Sequence, residues 1–491
     1  MMKINKKIRR FILSFIIITP LVMGFLTSIS QAKEITLQEA IEWGVQHNYD
    51  LEEARYNIET LKRDLAILDA GKALQVNLEV TPLWGLGGEE ISLSDSQNSK
   101  QPSSGGDTNL LNLTAEKIIA DDLNISASLS CKASGLTAGS LEEITEAIQA
   151  NIQLEKQIYP QAYTQTEQQI FQTESNLKKK TEELAWEETE KQIDFLESYL
   201  NLSRLAQQLS LAEERQQLAA QELERVQEQI RLGEGGYQQE AEAKIALMEA
   251  ENEVFNLKQT LTQQQKEWYL ELNLPADTEV KLEGEEEGEG EDGEPAYLEN
   301  LRSNMEELTI EEENLETLLP PALEKHYQIK NAYLDQESNL KEVERVRNEG
   351  KPQINFYNGY DLSEDYWYVM LDLSFKLADG GAQKLKEEEA EAVLSQQEKG
   401  LDQLVKTLQL EMKQLVAEDH YNQLNLQAKL AALEKEKSAK NILEKQYEEK
   451  IISSTQWQNQ LMALAEEELK VKEAQDTLLI NRLRLVHLLG L

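Results

Sequence analysis

Between Gln161 and Leu232 the chain has neither proline nor glycine, and Leu202, Leu205, Leu209, Ala212, Gln216, Ala219, Leu223, Val226 and Ile230 recur at alternating spacings of three and four. This is a heptad seam with one polar interruption, Gln216. At ~1.5 Å per residue it predicts a helix of roughly 100 Å. A second stripe, Leu394, Leu401, Leu404, Leu408 and Leu415, predicts another long helix from about Gln383 to Ile451. After each comes a break, at Gly233-Glu234-Gly235-Gly236 and near Ile452-Ser453-Ser454, and then a shorter returning helix. The first return runs from Tyr237 to Leu272 on Leu247, Ala250, Val254, Leu257, Leu261 and Trp268, and the second reaches Leu489. Another short helix opens each half: Thr36 to Ala70, with Thr36 and Glu39 spaced as a capping box, and Pro321 to Glu349. Two short helices of about 50 Å each match one long helix, so each long helix should pack against two short ones set end to end.

A period of two replaces the helical period between the opening helix and the long helix. Trp367, Val369, Leu371, Leu373, Phe375 and Leu377 alternate with Asp372, Ser374 and Lys376, and Gln353 to Tyr360 is also strand-like. In the first half Leu123, Ile125, Ala127, Leu129 and Cys131 alternate as cleanly, as do Ile148, Ala150, Ile152 and Leu154. Leu74 to Leu83 and Asn109 to Ala115 are weaker strands. Strands of about ten residues with one apolar face have the length and dyad period of transmembrane barrel strands, although a half-buried soluble sheet shares the pattern. Tyr357, Tyr360, Tyr366, Trp367 and Tyr368 cluster near the strand ends, where an interfacial girdle would lie.

The returning helices also echo each other in sequence. At an offset of 217 residues the pairs Gln239/Gln456, Ala246/Ala463, Leu247/Leu464, Glu249/Glu466, Glu251/Glu468, Val254/Val471, Leu261/Leu478, Leu272/Leu489 and Leu274/Leu491 are identical. A repeat of this size reads as a duplicated half-domain. The expected organisation is a leader at 1–32, a first repeat at 33–282, an acidic Gly/Glu linker at 283–294 and a second repeat at 295–491. Residues 89–107, rich in Ser, Gly, Asp and Asn, read as a loop between strands.

Five basic residues, an apolar run from Phe11 to about Leu26 and Ser30-Gln31-Ala32 make the N-terminus a secretory leader. Its removal leaves a chain still more acidic than the formal −41 of the whole, a charge that argues against nucleic acid as a partner. The bland account of that acidity is a solvated surface suited to high salt. Cys131 is the chain's single cysteine, so packing and assembly must supply stability without an intrachain disulfide. No apolar stretch after the leader reaches the ~20 residues of a membrane helix, so entry into a membrane would be by strands. His47, His326, His420 and His487 lack metal spacing, and no phosphate loop, nucleophile elbow or dinucleotide fingerprint occurs. The expectation is therefore neither an enzyme nor a cofactor protein.

Short helix, strands, long helix, turn and short helix, twice over behind a leader, resembles the TolC-type outer-membrane efflux and export ducts. The resemblance spans essentially the whole mature chain. Its most specific residues are Leu37-Gln38-Glu39-Ala40 leading to Asn48, Leu371 to Phe375 followed by Asp379-Gly380-Gly381, and the closing Leu488-Leu489-Gly490-Leu491. It implies a mostly helical α+β chain in a homotrimer, with strands shared in one outer-membrane barrel and coiled helices in a periplasmic tunnel of a diderm bacterium. Physics requires assembly as well, because a few strands leave open edges in lipid and a barrel with a lumen needs at least about eight. By resemblance, Leu232, Gly233, Gly235, Gly236 and Tyr237, with Lys450, Ile451, Ile452, Ser453 and Ser454, are tips that dock a periplasmic adaptor of an inner-membrane pump. The resemblance also implies a constriction at the mouth, which some relatives build from carboxylates; the positions that align there are Gln456 and Asn459, with Gln239 and Glu242 in the first half, so a polar rather than strongly charged constriction is expected. The family pattern of two strands per repeat gives twelve in the trimer, whereas the first half here has four strand-like segments. Residues 109–133 are then either a hairpin packed outside the wall or an enlargement of the barrel. The competing reading is a secreted or periplasmic coiled-coil structural or adaptor protein.

Overall fold

The computed structural model describes residues 33–80, 109–120, 123–132, 148–160, 165–233, 236–275, 278–280, 296–306, 312–362, 364–375 and 378–490. The expected leader, the 89–107 loop, the 283–294 linker, Leu83, Gly235, Lys376 and Leu377 lie outside them. In chain order the elements are β1 (Lys33–Ile35), α1 (Leu37–His47), α2 (Tyr49–Gly71), β2 (Gln75–Val80), β3 (Asn109–Ala120), β4 (Leu123–Lys132) and β5 (Ile148–Tyr159). Then follow α3 (Gln165–Arg231), α4 (Tyr237–Glu271), β6 (Thr278–Val280), α5 (Ala296–Glu306), α6 (Glu312–Lys325), α7 (Tyr327–Glu349), β7 (Gln353–Asp361), β8 (Tyr366–Ser374), α8 (Ala382–Glu448) and α9 (Ser454–Leu489). The long helices α3 and α8 are each 67 residues, about 100 Å of helix, and α4 and α9 are 35 and 36. The returning helices are thus half the length of the long ones, as the spacing predicts.

Two compact units are formed, and each takes residues from both halves of the sequence. One comprises Asn57–Lys179 and Asn331–Gly400, and is built around a six-stranded sheet in the order β2-β3-β4-β5-β7-β8. Every neighbouring pair in that sheet is antiparallel. All four strand-like segments of the first half therefore belong to one ladder with the two of the second. The sheet's helix-proximal end is fixed by sequence: β2 directly follows α2, β5 leads into α3, β7 follows α7 and β8 leads into α8.

The other unit comprises residues up to Tyr56, Lys180–Lys330 and Leu401–Leu491, and is helical apart from the parallel pair β1–β6. Its larger core joins Leu37, Ala40 and Ile41 of α1, Phe195, Leu196 and Tyr199 of α3, Trp268 of α4, Leu298 and Leu301 of α5, and Leu479 of α9. A second core sets Leu315, Leu319 and Leu323 of α6 against Leu408, Met412 and Val416 of α8 and Leu485 and Leu489 of α9. Each apolar residue of the α3 seam is at least half-buried, with Leu202, Ala212 and Val226 fully so.

Four departures from the sequence reading have physical reasons. The helix expected over Thr36 to Ala70 divides at Asn48, whose backbone is extended and whose side-chain Oδ1 accepts from the Asp50 and Leu51 N–H groups at 3.1 and 3.3 Å. Asn48 thereby caps a second helix. The second opening helix starts at Glu312 rather than Pro321, and Pro320 and Pro321 lie inside it. Burial of Leu315, Leu319, Ala322 and Leu323 offsets the backbone hydrogen bonds that the prolines forgo. It breaks at His326, where the Nδ1 accepts from the Gln328 N–H at 3.3 Å. Helix α5 and the β1–β6 pair were not foreseen, although Leu298, Leu301 and Met305 are spaced to form one buried helical stripe.

Candidate pore wall and helix tips

Opposed residues in an antiparallel ladder share a face, so the register sorts every described strand residue to one of two sides. One side reads Val76, Leu78 and Val80 on β2, Leu111, Leu113 and Ala115 on β3, and Leu123, Ile125, Ala127, Leu129 and Cys131 on β4. It continues through Ile148, Ala150, Ile152 and Leu154 on β5, Ile354 and Phe356 on β7, and Val369, Leu371 and Leu373 on β8, with one amide among them, Asn358 of β7, opposite Leu154 and Val369. The other side carries Gln75, Asn77, Glu79, Asn112, Thr114, Glu116, Ser126, Ser128, Asn151, Gln153, Glu155, Asn355 and Asp372. On the edge strands the apolar side is open, with Val76, Leu78, Val80, Val369, Leu371 and Leu373 each more than half exposed, and on the central strands it is partly exposed, with Leu111, Leu129, Ile148 and Ile152 between 37% and 48%.

The five aromatics expected to form a girdle divide between these sides. Tyr360 and Trp367 are opposed on the apolar side, with ring centroids 5.0 Å apart, and the Tyr360 hydroxyl donates to Asp365. Tyr357, Tyr366 and Tyr368 fall on the polar side. There Tyr368 lies over Gly359, where a Cβ would collide with its ring, and its hydroxyl reaches Asn151 and Gln153 at about 3.4 Å. At the helix-proximal rim the apolar side ends in Lys117 and Lys156, both exposed, opposite Ile125 and Leu123 respectively. Long cationic side chains at such a rim can lay their stems on apolar surface while the charge stays in water.

The strand-to-helix join before α8 explains Asp379-Gly380-Gly381. Asp379 accepts from the Gly381 N–H at 2.9 Å and the Gln383 N–H at 2.8 Å, capping α8. Gly380 and Gly381 take φ of +67° and +87°, which side chains disfavour.

The helix tips use different chemistry in the two hairpins. The α3–α4 turn passes through Gly233 at φ +83°, and the Gly236 N–H donates to the Gln239 side chain at 3.3 Å, a capping box with only its second half because Gly236 has no side chain. The α8–α9 turn places Lys450 at φ +58°, with the Ile451 N–H bonded to the Gln446 carbonyl at 2.8 Å. Ser453 and Gln456 form a complete capping box: the Gln456 N–H donates to Ser453 Oγ at 3.2 Å and the Ser453 N–H to Gln456 Oε1 at 3.1 Å. Leu232, Tyr237 and Ile451 are strongly exposed, Ile452 is half-buried, and Gly233, Gly236, Lys450, Ser453 and Ser454 are exposed.

Of the four constriction candidates, Gln239 and Gln456 are therefore helix-capping residues. Their identity in the repeat has that structural account. Glu242 accepts from the Gln238 side chain at 3.0 Å, and all four candidates are exposed on the single chain.

The other ends of the returning helices carry a matched pair of left-handed residues. Asn273 (φ 52°) and Gly490 (φ 63°) close α4 and α9 at the same point of the 217-residue repeat. Asn273 donates to the His47 carbonyl at 3.0 Å and Asn48 to the Glu271 carbonyl at 2.9 Å, tying the end of α4 to the start of α2. In the second half Lys325 donates to the Gly490 carbonyl at 2.9 Å. Asn273, Gly490 and the Asn48 motif thus form the end-to-end joints between short helices. Sequence reasoning also missed a buried ion pair beside these joints, Arg482 Nε to Asp419 Oδ1 at 2.9 Å, with Arg482 also donating to the Met305 carbonyl at 2.7 Å.

No helix among the described residues is long and apolar enough to cross a membrane. No protein-family model and no curated protein matches the chain. Solved structures do. CusC, described as forming a transmembrane channel, shares 13% identity at a TM-score of 0.60, with 96% of each chain covered. The CmeC outer membrane channel of Campylobacter jejuni shares 10% identity at 0.60, covering 95% of this chain and 90% of its own. The outer membrane protein VceC of Vibrio cholerae shares 13% at 0.56, covering 92% and 96%. With near-complete coverage in both directions, and with the duplicated order of short helix, strands, long helix and returning helix, the chain has the TolC-type outer-membrane channel fold.

Proposed function

We propose that three copies of this chain form a duct in the outer membrane of a diderm bacterium, through which exported molecules pass passively. The carrying observation is the six-stranded sheet, with one side apolar but for Asn358 in its middle and Lys117 and Lys156 at its rim, one mostly polar side and, among the described residues, two unpaired edges, β2 and β8. In lipid such edges are intolerable, and closure around a polar lumen satisfies both edges and faces at once. The polar face then lines the lumen, and Tyr360 and Trp367 anchor the lipid face at the rim distal to the helices. The fold likeness to outer-membrane channels supports the same reading. The two sequence repeats, 33–282 and 295–491, supply the two staves of each protomer.

In this duct the tips, from Leu232 to Tyr237 and from Lys450 to Ser454, meet a periplasmic adaptor of an inner-membrane pump. Exposed Leu232, Tyr237 and Ile451 give that contact its apolar part. Gln239, Glu242, Gln456 and Asn459 narrow the mouth, with Gln239 and Gln456 also holding the turns. The gate is tested by Glu242→Ala with Asn459→Ala, which leaves both caps intact: single-channel conductance should rise, and an unchanged conductance contradicts the constriction. The duct itself is tested by fractionation. The protein should enter the outer-membrane fraction as a heat-modifiable, detergent-stable trimer, and recovery wholly in soluble fractions contradicts it.

A further inference from the structure

We propose that the β3–β4 hairpin is part of the membrane wall, so that each copy gives six strands and the assembled pore is a barrel of eighteen, not the family's twelve. The proposal rests on the trimeric duct reading and adds the width of its barrel. A hairpin packed outside the wall would leave β2 paired with β5. Instead, among the described residues, β2 pairs only with β3 in the ladder, β3 with β4 over Asn109 to Ala120, and β4 with β5 over nine residues from Leu123 to Cys131. The hairpin is therefore interposed in the sheet, bonded to β5 along nearly all of β4 and to β2 along Leu111 to Glu116 of β3.

Its faces match those of its neighbours. Leu111, Leu113, Ala115, Ile125, Ala127, Leu129 and Cys131 continue the apolar side, and Asn112, Thr114, Glu116, Ser126, Ser128 and Ser130 the polar side. A hairpin buried against the outside of a lipid-facing wall would have no use for a polar face opposite an apolar one. Its connections also fit a spanning pair. Ala120 pairs with Leu123, so only residues 121–122 join the two strands at the helix-proximal end, while residues 81–108 and 133–147 make the connections at the other end. Short turns on the periplasmic side and long loops outside are the habit of outer-membrane barrels. Lys117, on the hairpin, marks the same rim as Lys156 on β5.

The chain directions permit closure. β2 runs away from the helix-proximal end and β8 returns toward it, so β8 of one copy meets β2 of the next antiparallel. Because barrel diameter grows roughly linearly with strand number, eighteen strands give a lumen about 1.5 times as wide as twelve at the same tilt, in the range of water-filled porins.

Spin labelling of the full chain in proteoliposomes tests this. A nitroxide on native Cys131, or on Leu113→Cys in the C131S background, should relax strongly with oxygen and weakly with a water-soluble nickel chelate. Ser128→Cys in the same background should show the reverse ratio. Val369→Cys and Asp372→Cys on β8 are the controls. Alternation on β8 but not on β3–β4 overturns the hairpin proposal and leaves the duct standing, whereas no alternation at either place sinks the duct as well. Closure is read separately by oxidising double variants that pair Val76→Cys, Leu78→Cys or Val80→Cys with Val369→Cys, Leu371→Cys or Leu373→Cys, all lacking Cys131. At least one pairing should give a covalent trimer on denaturing gels. Failure of all nine, in protein that is trimeric before denaturation, overturns eighteen-strand closure.

Discussion

Gly44 sits in α1 where a Cβ would collide with Leu272 and Phe195, so the close approach of α1, α3 and the end of α4 depends on its missing side chain. Gly44→Ala should lower stability by about 1–3 kcal/mol, the usual range for overpacking, and thermal unfolding measures it. The Arg482–Asp419 pair makes a different kind of contribution. Both side chains are almost wholly buried and both carboxylate oxygens are satisfied, the second by Gln423 at 2.6 Å. Arg482→Met alone should cost about 3–5 kcal/mol by stranding Asp419, while Arg482→Met with Asp419→Leu should cost much less. A third residue-scale feature is Trp186, in tilted ring contact with both His326 and His487 at centroid distances of 4.4 and 3.9 Å. Burial pushes both histidines down from 6.5 to about 4, with the neighbouring His326 adding to the effect on His487. The unfolded chain then takes up protons first as pH falls. Stability should be at its full value above pH 6.5 and be lost between 6.5 and about 4, and His326→Gln with His487→Gln should flatten that part of the melting-temperature profile.

At the scale of elements, what could be read in advance followed from period. The α3 seam and the β8 alternation each rest on many residues with one repeat, and both were located to within a few positions. Breaks were harder, because a single side chain decides them: Asn48 ends one helix and caps the next, and no hydrophobic pattern announces that. Pro320 and Pro321 misled for the opposite reason, since their local preference is overridden by burial of Leu315, Leu319 and Leu323. Among site residues, the Asp379-Gly380-Gly381 join and the Leu-Asn-Leu and Leu-Gly-Leu endings were recognisable as motifs, but their work as caps and joints needed hydrogen-bond geometry. The aromatic cluster is visible as composition, and only the register separates Tyr360 and Trp367 from Tyr357, Tyr366 and Tyr368. The tips carry the clearest element-scale prediction. Ser453→Ala should cost about 1 kcal/mol and speed amide hydrogen exchange in the first turn of α9. Gly236→Ala, which removes no side-chain cap, should leave the first turn of α4 far less affected.

For the whole molecule, one chain presents a sheet that is incomplete alone and helical hairpins whose tips expose apolar residues. In the proposed duct, assembly completes the sheet. The polar-side positions of the described strands carry the carboxylates of Glu79, Glu116, Glu155, Asp361 and Asp372 against one lysine, Lys132, so the lumen of the proposed barrel should favour cations over anions, increasingly as salt falls. The most direct test of the duct is single-channel recording of the full-length protein, purified from membranes and reconstituted in planar lipid bilayers under a salt gradient. The expected result is discrete, passive conductance steps with a reversal potential of cation-selective sign. A membrane-free protein that gives no steps at any concentration would contradict the duct.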